Sequence, residues 1–198
     1  MEQKFPPHLL KLITHLKKLP GVGTRTAERF AFELLNWDSP SLEAFSESIK
    51  ELKENVPFCP SCGCLCSKEF CMFCNQRDPR SLCLLANAKD AFAIEQTGQF
   101  KGLYHVIEHL LSPLDGRHSE TLNLEKIRKR IEVEGVKELI LAFDSTIEGD
   151  TTALYLKTHL AQPELSISRL AFGIPVGSSL DYIDGGTLAR ALSGRQSI

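Results

Sequence analysis

Two Cys-x-x-Cys pairs lie close together in the middle of this 198-residue chain. The first pair is Cys59 and Cys62, and the second is Cys71 and Cys74. Four thiolates from two short knuckle turns suit a tetrahedral metal ion with no open position, and zinc prefers such a set of sulfur ligands. Since the ligands are scattered in the unfolded chain, binding of the metal contributes directly to folding. The spacing therefore predicts one structural zinc ion (Zn2+) held by these four cysteines.

The residues around the two pairs add detail and one open question. Gly63 and Asn75 each follow the second cysteine of a pair, where a knuckle turn favours a left-handed backbone that glycine and asparagine tolerate best. Cys64 and Cys66 lie between the pairs, and one of them could replace a ligand. A disulfide or a redox motif fits less well, because we expect no secretory signal and a redox Cys-x-x-Cys usually occurs once.

Composition narrows the class of protein. The chain is 42% hydrophobic and 24% charged, which is typical of a globular protein, and its formal net charge is −2. No apolar run is long enough to cross a bilayer, so we expect no membrane partner. Seven cysteines without a secretory signal predict a reducing, cytoplasmic location. Any attraction for nucleic acid must come from a local basic cluster, because the whole chain is slightly negative.

A glycine-rich turn near the N-terminus is the second strong motif. Gly21 and Gly23 lack a Cβ atom, which permits a tight turn with close access to its backbone. We expect Pro20 to end the helix before the turn and Thr24 to cap the helix after it. Apolar residues at helical spacing flank the turn on both sides: Leu9, Leu12, Ile13 and Leu16 upstream, and Ala27, Phe30, Ala31 and Leu34 downstream. The pattern predicts a helix-hairpin-helix.

The same segment predicts a phosphate site. Amide groups at the start of the second helix point outward and carry partial positive charge. Arg25 and Arg29 lie one helical turn apart, so both project beside those amides. We expect sequence-independent contacts to the DNA backbone from Lys17, Lys18, Gly21, Gly23, Thr24, Arg25 and Arg29. The alternative is that the turn simply connects two packed helices.

The chain divides into a helical part, the cysteine region and, from residue 81, an α/β pattern. Short apolar runs alternate with helical patterns there, which predicts parallel strands joined by crossover helices. Strands are expected at 82–85, 103–107, 139–143 and 165–171, and helices near 90–97, 124–133 and 150–160. The charged run in the second of these helices is interpreted as a solvated face rather than a binding site: Lys126, Arg128, Lys129 and Arg130.

With these motifs the chain resembles the RecR family of bacterial recombination mediators over nearly its full length. Specific strings carry the resemblance beyond the hairpin and the cysteines: Tyr-His-Val at 104–106, Ser-Pro-Leu-Asp-Gly at 112–116 and Gly-Ile-Pro-Val-Gly at 173–177. The resemblance implies four regions: a helix-hairpin-helix region at 1–56, a C4 zinc finger at 57–80, an α/β Toprim domain with a mainly parallel sheet at 81–176, and a helical C-terminal assembly segment at 177–198.

The resemblance also implies a function. It indicates a non-enzymatic, DNA-binding mediator of recombinational repair that acts with RecO and RecF and promotes RecA loading on gapped or single-stranded DNA. A homo-oligomer is expected, in the form of a tetrameric ring assembled through the N- and C-terminal regions. The cytoplasm is the implied location, with association to the nucleoid during repair.

Catalytic Toprim domains use a glutamate after the first strand and an Asp-x-Asp after a later one, because these carboxylates hold magnesium. Here Ala86 and Asn87 follow the first strand, and only Asp144 remains of the later pair. Glu148 and Asp150 come next, but they begin a helix, where acids commonly interact with the helix dipole. We therefore interpret these three acids as residues left from an ancestral enzyme.

Two alternatives to the DNA-binding mediator remain open. The first is a magnesium-dependent nuclease or primase-like enzyme that would use Asp144, Glu148 and Asp150, and the missing glutamate disfavours it. The second is a scaffold that binds only protein. A further departure from the family lies at Glu108 and His109, where two glycines usually follow Tyr-His-Val.

Overall fold

The computed structural model describes residues 5–195 apart from Glu69, Glu108 and Phe172, and the backbone alone of Thr121. These residues form two compact units, Met1–Asn55 and Val56–Ile198. The predicted departure at Glu108 lies outside the described residues. Within the described chain, no helix is both long enough and apolar enough to cross a lipid bilayer.

The first unit consists of three helices: α1 at Pro7–Leu16, α2 at Thr24–Leu35 and α3 at Ser39–Asn55. Helices α1 and α2 pack through buried Ile13, Ala27 and Ala31, and the two alanines lie one turn apart. The remaining contacts come from half-buried apolar side chains: Phe5, Leu9, Leu12, Leu16 and Val22. The two predicted apolar stripes are thus largely confirmed.

Three local predictions in this unit are wrong. Helix α1 ends at Leu16, ahead of Pro20, because Pro20 and Gly21 instead form a tight turn closed by a bond from the Val22 amide to the Leu19 carbonyl. Gly21 takes the left-handed conformation that the third position of such a turn requires (φ 76°). The N-cap of α2 is Gly23, and Thr24 is already helical.

The third error concerns Phe30, which was expected on the apolar stripe of α2. Its side chain is 39% exposed. The helix pair is narrow, and the alanines at its centre bring α1 close to α2. A large side chain at the flank of that contact is left partly uncovered.

The second unit is built on a four-stranded parallel sheet with strand order β2-β1-β3-β4. Its strands are β1 (Asp78–Leu85), β2 (Gly102–Val106), β3 (Glu138–Ala142) and β4 (Ser166–Arg169). Its helices are α4 (Ala88–Gln96), α5 (Leu124–Glu134), α6 (Ile147–Leu160) and α7 (Gly185–Ser193), with short 3-10 turns at Pro113–Asp115, Ser119–Thr121 and Leu180–Tyr182. The predicted α/β class and parallel sheet are confirmed.

Successive side chains of each strand point to opposite faces of the sheet, and this divides the core into two layers. Leu82, Leu84, Leu139 and Leu141 pack on one face with residues of α5 and α6. Side chains on the opposite face belong to a second cluster, which includes α4 and the cysteine region: Cys83, Leu85, Ala91, Tyr104 and Phe73. The cysteine region is therefore part of the core of this unit.

Strand β1 begins at Asp78, four residues before the predicted start at Leu82. The added residues are polar or proline, so they carry no apolar signal. They extend as a strand because of tertiary pairing: the Asp78 amide donates to the Lys101 carbonyl (3.0 Å), and the Arg80 carbonyl accepts from the Lys137 amide (2.7 Å). A register shift between Asp78 and Leu82 accommodates this extension.

Candidate metal centre and DNA-contacting hairpin

Cys59, Cys62, Cys71 and Cys74 converge at one point of the second unit. Their sulfur atoms all lie within 4.8 Å of one another. The Cys62–Cys71 sulfur pair is 3.6 Å apart and the Cys59–Cys74 pair 3.9 Å. A tetrahedral zinc ion with bonds of about 2.3 Å separates its sulfur ligands by about 3.8 Å. The four thiols are free, and the cage that they form fits such an ion.

Two backbone turns build this cage. In the first, the Gly63 amide donates to the Cys59 carbonyl (2.8 Å), and Gly63 is left-handed as predicted (φ 73°). In the second, the Asn75 amide donates to the Cys71 carbonyl (3.0 Å). The prediction for Asn75 is wrong, since the left-handed residue of this turn is Gln76 (φ 57°). We call the segment from Cys59 to Cys74 the cysteine finger.

The geometry separates the four converging thiols from the two extra ones. Cys66 directs its sulfur to the Pro57 carbonyl (3.5 Å), away from the cage. Cys64 is fully buried, and its carbonyl accepts from the Cys59 amide (2.8 Å). Within the described chain, the only set of three or more Cys, His, Asp or Glu side chains placed to share a metal ion is the predicted quartet.

The surroundings of Cys62 and Cys74 oppose ionisation of these two thiols in the absence of a cation. The Cys64 side chain and burial raise the pKa of Cys62, and the Cys62 side chain and burial raise the pKa of Cys74. A divalent ion would reverse this balance, because it stabilises the thiolate form of each ligand directly. The cage is thus suited to a metal-bound state with four thiolates.

The cysteine finger lies along strand β2, the outer strand of the sheet. The Val106 amide donates to the Cys62 carbonyl (2.7 Å), and the Tyr104 amide donates to the Phe73 carbonyl (3.4 Å). A Cβ atom on Gly63 would stand 3.1 Å from the Val106 Cβ, so a larger residue would press on the strand. Both knuckle turns thereby cover the open hydrogen-bonding edge of β2.

Arg130 of α5 contacts the cysteine finger. The interpretation of the charged run of α5 as a solvated face is therefore wrong for this residue. Its side chain is 8% exposed, and its guanidinium donates to the Ser61 carbonyl (3.1 Å), to His105 Nδ1 (3.1 Å) and to Cys74 Sγ (3.5 Å). Lys126 and Lys129 are exposed, as expected of a solvated face. A sequence signal existed, because Arg130 lies three residues after buried Ile127 and so borders the apolar stripe of α5.

His105 is a packed residue, in agreement with the absence of a ligand pattern around it in the sequence. Burial, followed by the nearby Arg130 charge, lowers the pKa of His105 to about 3. The imidazole is therefore neutral at physiological pH. Because arginine can only donate, His105 Nδ1 is the acceptor and the proton resides on Nε2.

The hairpin of the first unit presents its predicted contact residues to solvent. Lys17, Lys18, Gly21, Gly23, Thr24, Arg25 and Arg29 are all exposed. Since the N-cap of α2 is glycine, no described side chain accepts a hydrogen bond from the first amides of this helix. Those amides are available to an external anion. Arg25 and Arg29 lie four residues apart in the first turns of the same helix. Arg29 also lies 5.6 Å from the centre of the Phe30 ring.

The three acids that the sequence suggested as remnants of a metal site, Asp144, Glu148 and Asp150, are placed differently from one another. Asp144 follows β3 and is exposed, whereas Asp150 contacts Arg169 (2.6 Å) and Arg190 (3.0 Å). The hydrogen bond from Arg169 is the main cause that lowers the pKa of Asp150. Across the described residues, Asp144, Glu148 and Asp150 are not placed as a cluster of three ligands around one cation.

Asn87, one of the two residues that follow β1 where the resemblance implies a glutamate, is the N-cap of helix α4. The amide of Asn87 donates to the Asp90 carboxylate (3.1 Å) at the start of α4. This bond satisfies one of the free amides that begin a helix. The turn between Asp144 and α6 leaves no room for a side chain at Gly149, because a Cβ there would clash with the Asp144 carbonyl oxygen.

Comparison with known proteins shows similarity to one family along nearly the whole chain. The RecR helix-hairpin-helix model matches residues 9–53, the Toprim domain model residues 80–171, and the RecR C-terminal model residues 173–196. The chain is 53% identical over 194 residues to the recombination protein RecR of Protochlamydia amoebophila, with 97% of this chain and 98% of that protein covered. Those of Chlamydia felis (52%) and Chlamydia pneumoniae (49%) align over 97% and 98% of this chain, respectively, and over 98% of their own lengths.

The cage geometry generates a prediction about metal content. Replacement of Cys71 by serine should remove the bound zinc and destabilise the second unit, because metal binding and folding are coupled. Replacement of Cys66 by serine should retain the metal, since its sulfur points to Pro57. Elemental analysis of the purified variants and their thermal unfolding would measure both effects. Retention of zinc by Cys71→Ser together with its loss from Cys66→Ser would contradict the assignment.

Proposed function

The chain belongs to the RecR family, and on that premise we propose that it is a DNA-binding mediator of recombinational DNA repair. The exposed hairpin carries this proposal: open helix amides and the cations Arg25 and Arg29 together suit the phosphate backbone of DNA. Such contacts hold DNA of any sequence. Supporting contacts come from Lys17, Lys18, Gly21, Gly23 and Thr24.

We further propose the partners and the place of action. The mediator acts with RecO and RecF to load RecA on gapped or single-stranded DNA, in the cytoplasm and on the nucleoid during repair. The names of the relatives support the recombination role, and the family resemblance supports these partners. A single hairpin provides few phosphate contacts, so a ring that brings several hairpins together would bind DNA more tightly.

We propose one zinc ion per chain, held by Cys59, Cys62, Cys71 and Cys74. Spacing, sulfur distances and burial all support a closed, structural site. The division of the chain into regions 1–56, 57–80, 81–176 and 177–198 belongs to the same proposal. The extents of the matching family models and the end of the first compact unit at Asn55 support it.

A tetrameric ring assembled through the N- and C-terminal regions is part of the proposal. Helix α3 buries none of its residues within the described chain. Phe45, Ile49 and Leu52 lie at helical spacing and are 44%, 58% and 60% exposed. In the C-terminal region, Leu180 and Tyr182 are 62% and 87% exposed. Apolar surface of this extent suits contacts between copies of the chain.

The mediator is proposed to be non-enzymatic. Asp150 is engaged by two arginines, and Asn87 stands where a catalytic Toprim domain needs a glutamate. Magnesium in such enzymes is held by one or two carboxylates with water and substrate phosphates, and within the described residues Asp144, Glu148 and Asp150 form no cluster of three around one point. The magnesium-dependent nuclease or primase-like alternative is therefore the weaker of the two functions.

Assembly can be tested on α3. The substitution Ile49→Glu should reduce the solution mass of the protein, because it places a charge in the proposed apolar contact. Ser48→Glu adds the same charge at the neighbouring exposed position and should leave the mass unchanged. Light scattering coupled to size-exclusion chromatography measures both. Equal masses for the two variants and the unmodified protein would exclude this face from the assembly.

Catalysis can be tested directly. We expect no nicking of supercoiled plasmid in the presence of magnesium or manganese, because the acids form no shared cation site. Conversion of supercoiled to open-circular DNA on an agarose gel is the readout. Magnesium-dependent cleavage that copurifies with the protein and disappears in Asp144→Ala would overturn the proposal of a non-enzymatic function.

The site of DNA binding can be tested with two matched double variants. Arg25→Ala with Arg29→Ala should weaken binding equally for unrelated DNA sequences, and each lost phosphate contact should lower the salt slope by about 0.7–0.9. Lys126→Ala with Lys129→Ala removes two exposed charges from α5 and should have a smaller effect. Fluorescence anisotropy over a range of salt concentrations measures both.

The reverse result would reject the hairpin as the DNA site. If the α5 pair abolishes binding and the α2 pair does not, DNA binds the α/β domain. Zinc content and solution mass of both variants serve as controls, and both should match those of the unmodified protein.

A further inference from the structure

Arg130 is a buried cation without a carboxylate partner among the described residues. Its guanidinium contacts a backbone carbonyl, a neutral imidazole and the sulfur of Cys74. Removal of an arginine from water is costly unless an opposite charge compensates for it. The cation therefore requires a negative group close to the cysteine finger.

A metal-bound cysteine cage supplies that negative charge. Four thiolates around one divalent zinc ion carry a net charge of −2, and Cys74 is the ligand nearest to the guanidinium. Hydrogen bonds from a cation to a thiolate are also stronger than those to a neutral thiol. The buried arginine and the anionic cage thus compensate each other.

On this basis, and resting on the zinc site proposed above, we propose that Arg130 is a positioning residue of the metal centre that retains zinc in the cage. It neutralises part of the charge of the four thiolates and donates a hydrogen bond to Cys74. Less charge on the sulfur makes it a poorer target for protons, and protonation of a ligand is the step that would open the zinc ion to a competing chelator. Zinc then leaves the cage more slowly.

The position of Arg130 suits this role because its side chain is fixed from three sides. Helix α5 is anchored in the core by Ile127 and Ile131, on either side of Arg130 in sequence. One guanidinium nitrogen contacts Ser61 in the first knuckle turn and His105 on β2, and the other contacts Cys74 in the second turn. A single side chain therefore joins both halves of the finger to the sheet.

The rate of zinc transfer to a chromophoric chelator tests the proposal on the full-length protein. Arg130→Met removes the charge and the donors but keeps a long apolar stem. We expect zinc release about 10–100-fold faster, the range typical of lost hydrogen-bond partners of metal ligands. Arg128→Met is the matched control, because that guanidinium contacts Glu125 and the His159 carbonyl instead. Its release rate should equal that of the unmodified protein.

Cobalt substitution provides a readout that a merely structural role would not change. In the cobalt-loaded protein, loss of the hydrogen bond to Cys74 should move the thiolate-to-cobalt charge-transfer band to lower energy in Arg130→Met. The band should stay in place in Arg128→Met. A folded Arg130→Met protein with the release rate and the absorption band of the control would overturn the proposal.

Two further outcomes separate this proposal from the zinc site itself. If Arg130→Met does not fold, Arg130→Lys keeps the charge without the planar fork, and it should release zinc several-fold faster than the unmodified protein. An unchanged rate for the lysine variant would overturn the role of Arg130. Unmodified protein that binds neither zinc nor cobalt would instead overturn the metal site, and the inference would fall with it.

Discussion

The open edge of strand β2 is the constraint on which the second unit depends. A parallel sheet leaves a row of unpaired amides and carbonyls on each outer strand, and those of β2 lie beside the hydrophobic cluster. The cysteine finger satisfies two of these amides, because the carbonyls of Cys62 and Phe73 accept from Val106 and Tyr104. Since the finger has little regular structure of its own, the cage of thiols has to hold its two turns at the correct spacing. A metal ion bound in the cage would therefore also hold the finger against this edge of the sheet.

The two units are stabilised in different ways, and this difference corresponds to different tasks. The second has two apolar layers that are complete within one chain. The first buries only a small core between α1 and α2, and leaves the apolar side of α3 uncovered. A helical unit of this size gains little from its own burial, so contact with other copies would add stability to the unit that carries the proposed DNA site. Assembly and DNA binding would thus reinforce each other.

Local patterns in the sequence were sufficient to predict much of this architecture. The Cys-x-x-Cys spacing, the glycine turn and the alternating apolar runs each depend on near neighbours, and the helices and strands follow them closely. The errors arose where distant residues decide the conformation. Pairing with Lys101 and Lys137 extends β1 over a polar segment, and the cage rather than residue preference selects Gln76 for the left-handed position. Arg130 was missed because its charge, within a charged run, outweighed the one sign of burial, which is its position beside Ile127 at the border of the apolar stripe of α5.

Charged side chains at the carboxyl end of the sheet connect the C-terminal helix to α6 and β4. In a metal-dependent Toprim domain the acids at this end repel one another and require cations. In this chain two arginine side chains supply positive charge at this end. Arg169 from β4 and Arg190 from α7 pair with Asp150, and Arg190 also donates to Ser145. These contacts anchor the C-terminal helix to the sheet, because one carboxylate holds an arginine from β4 and an arginine from α7 together.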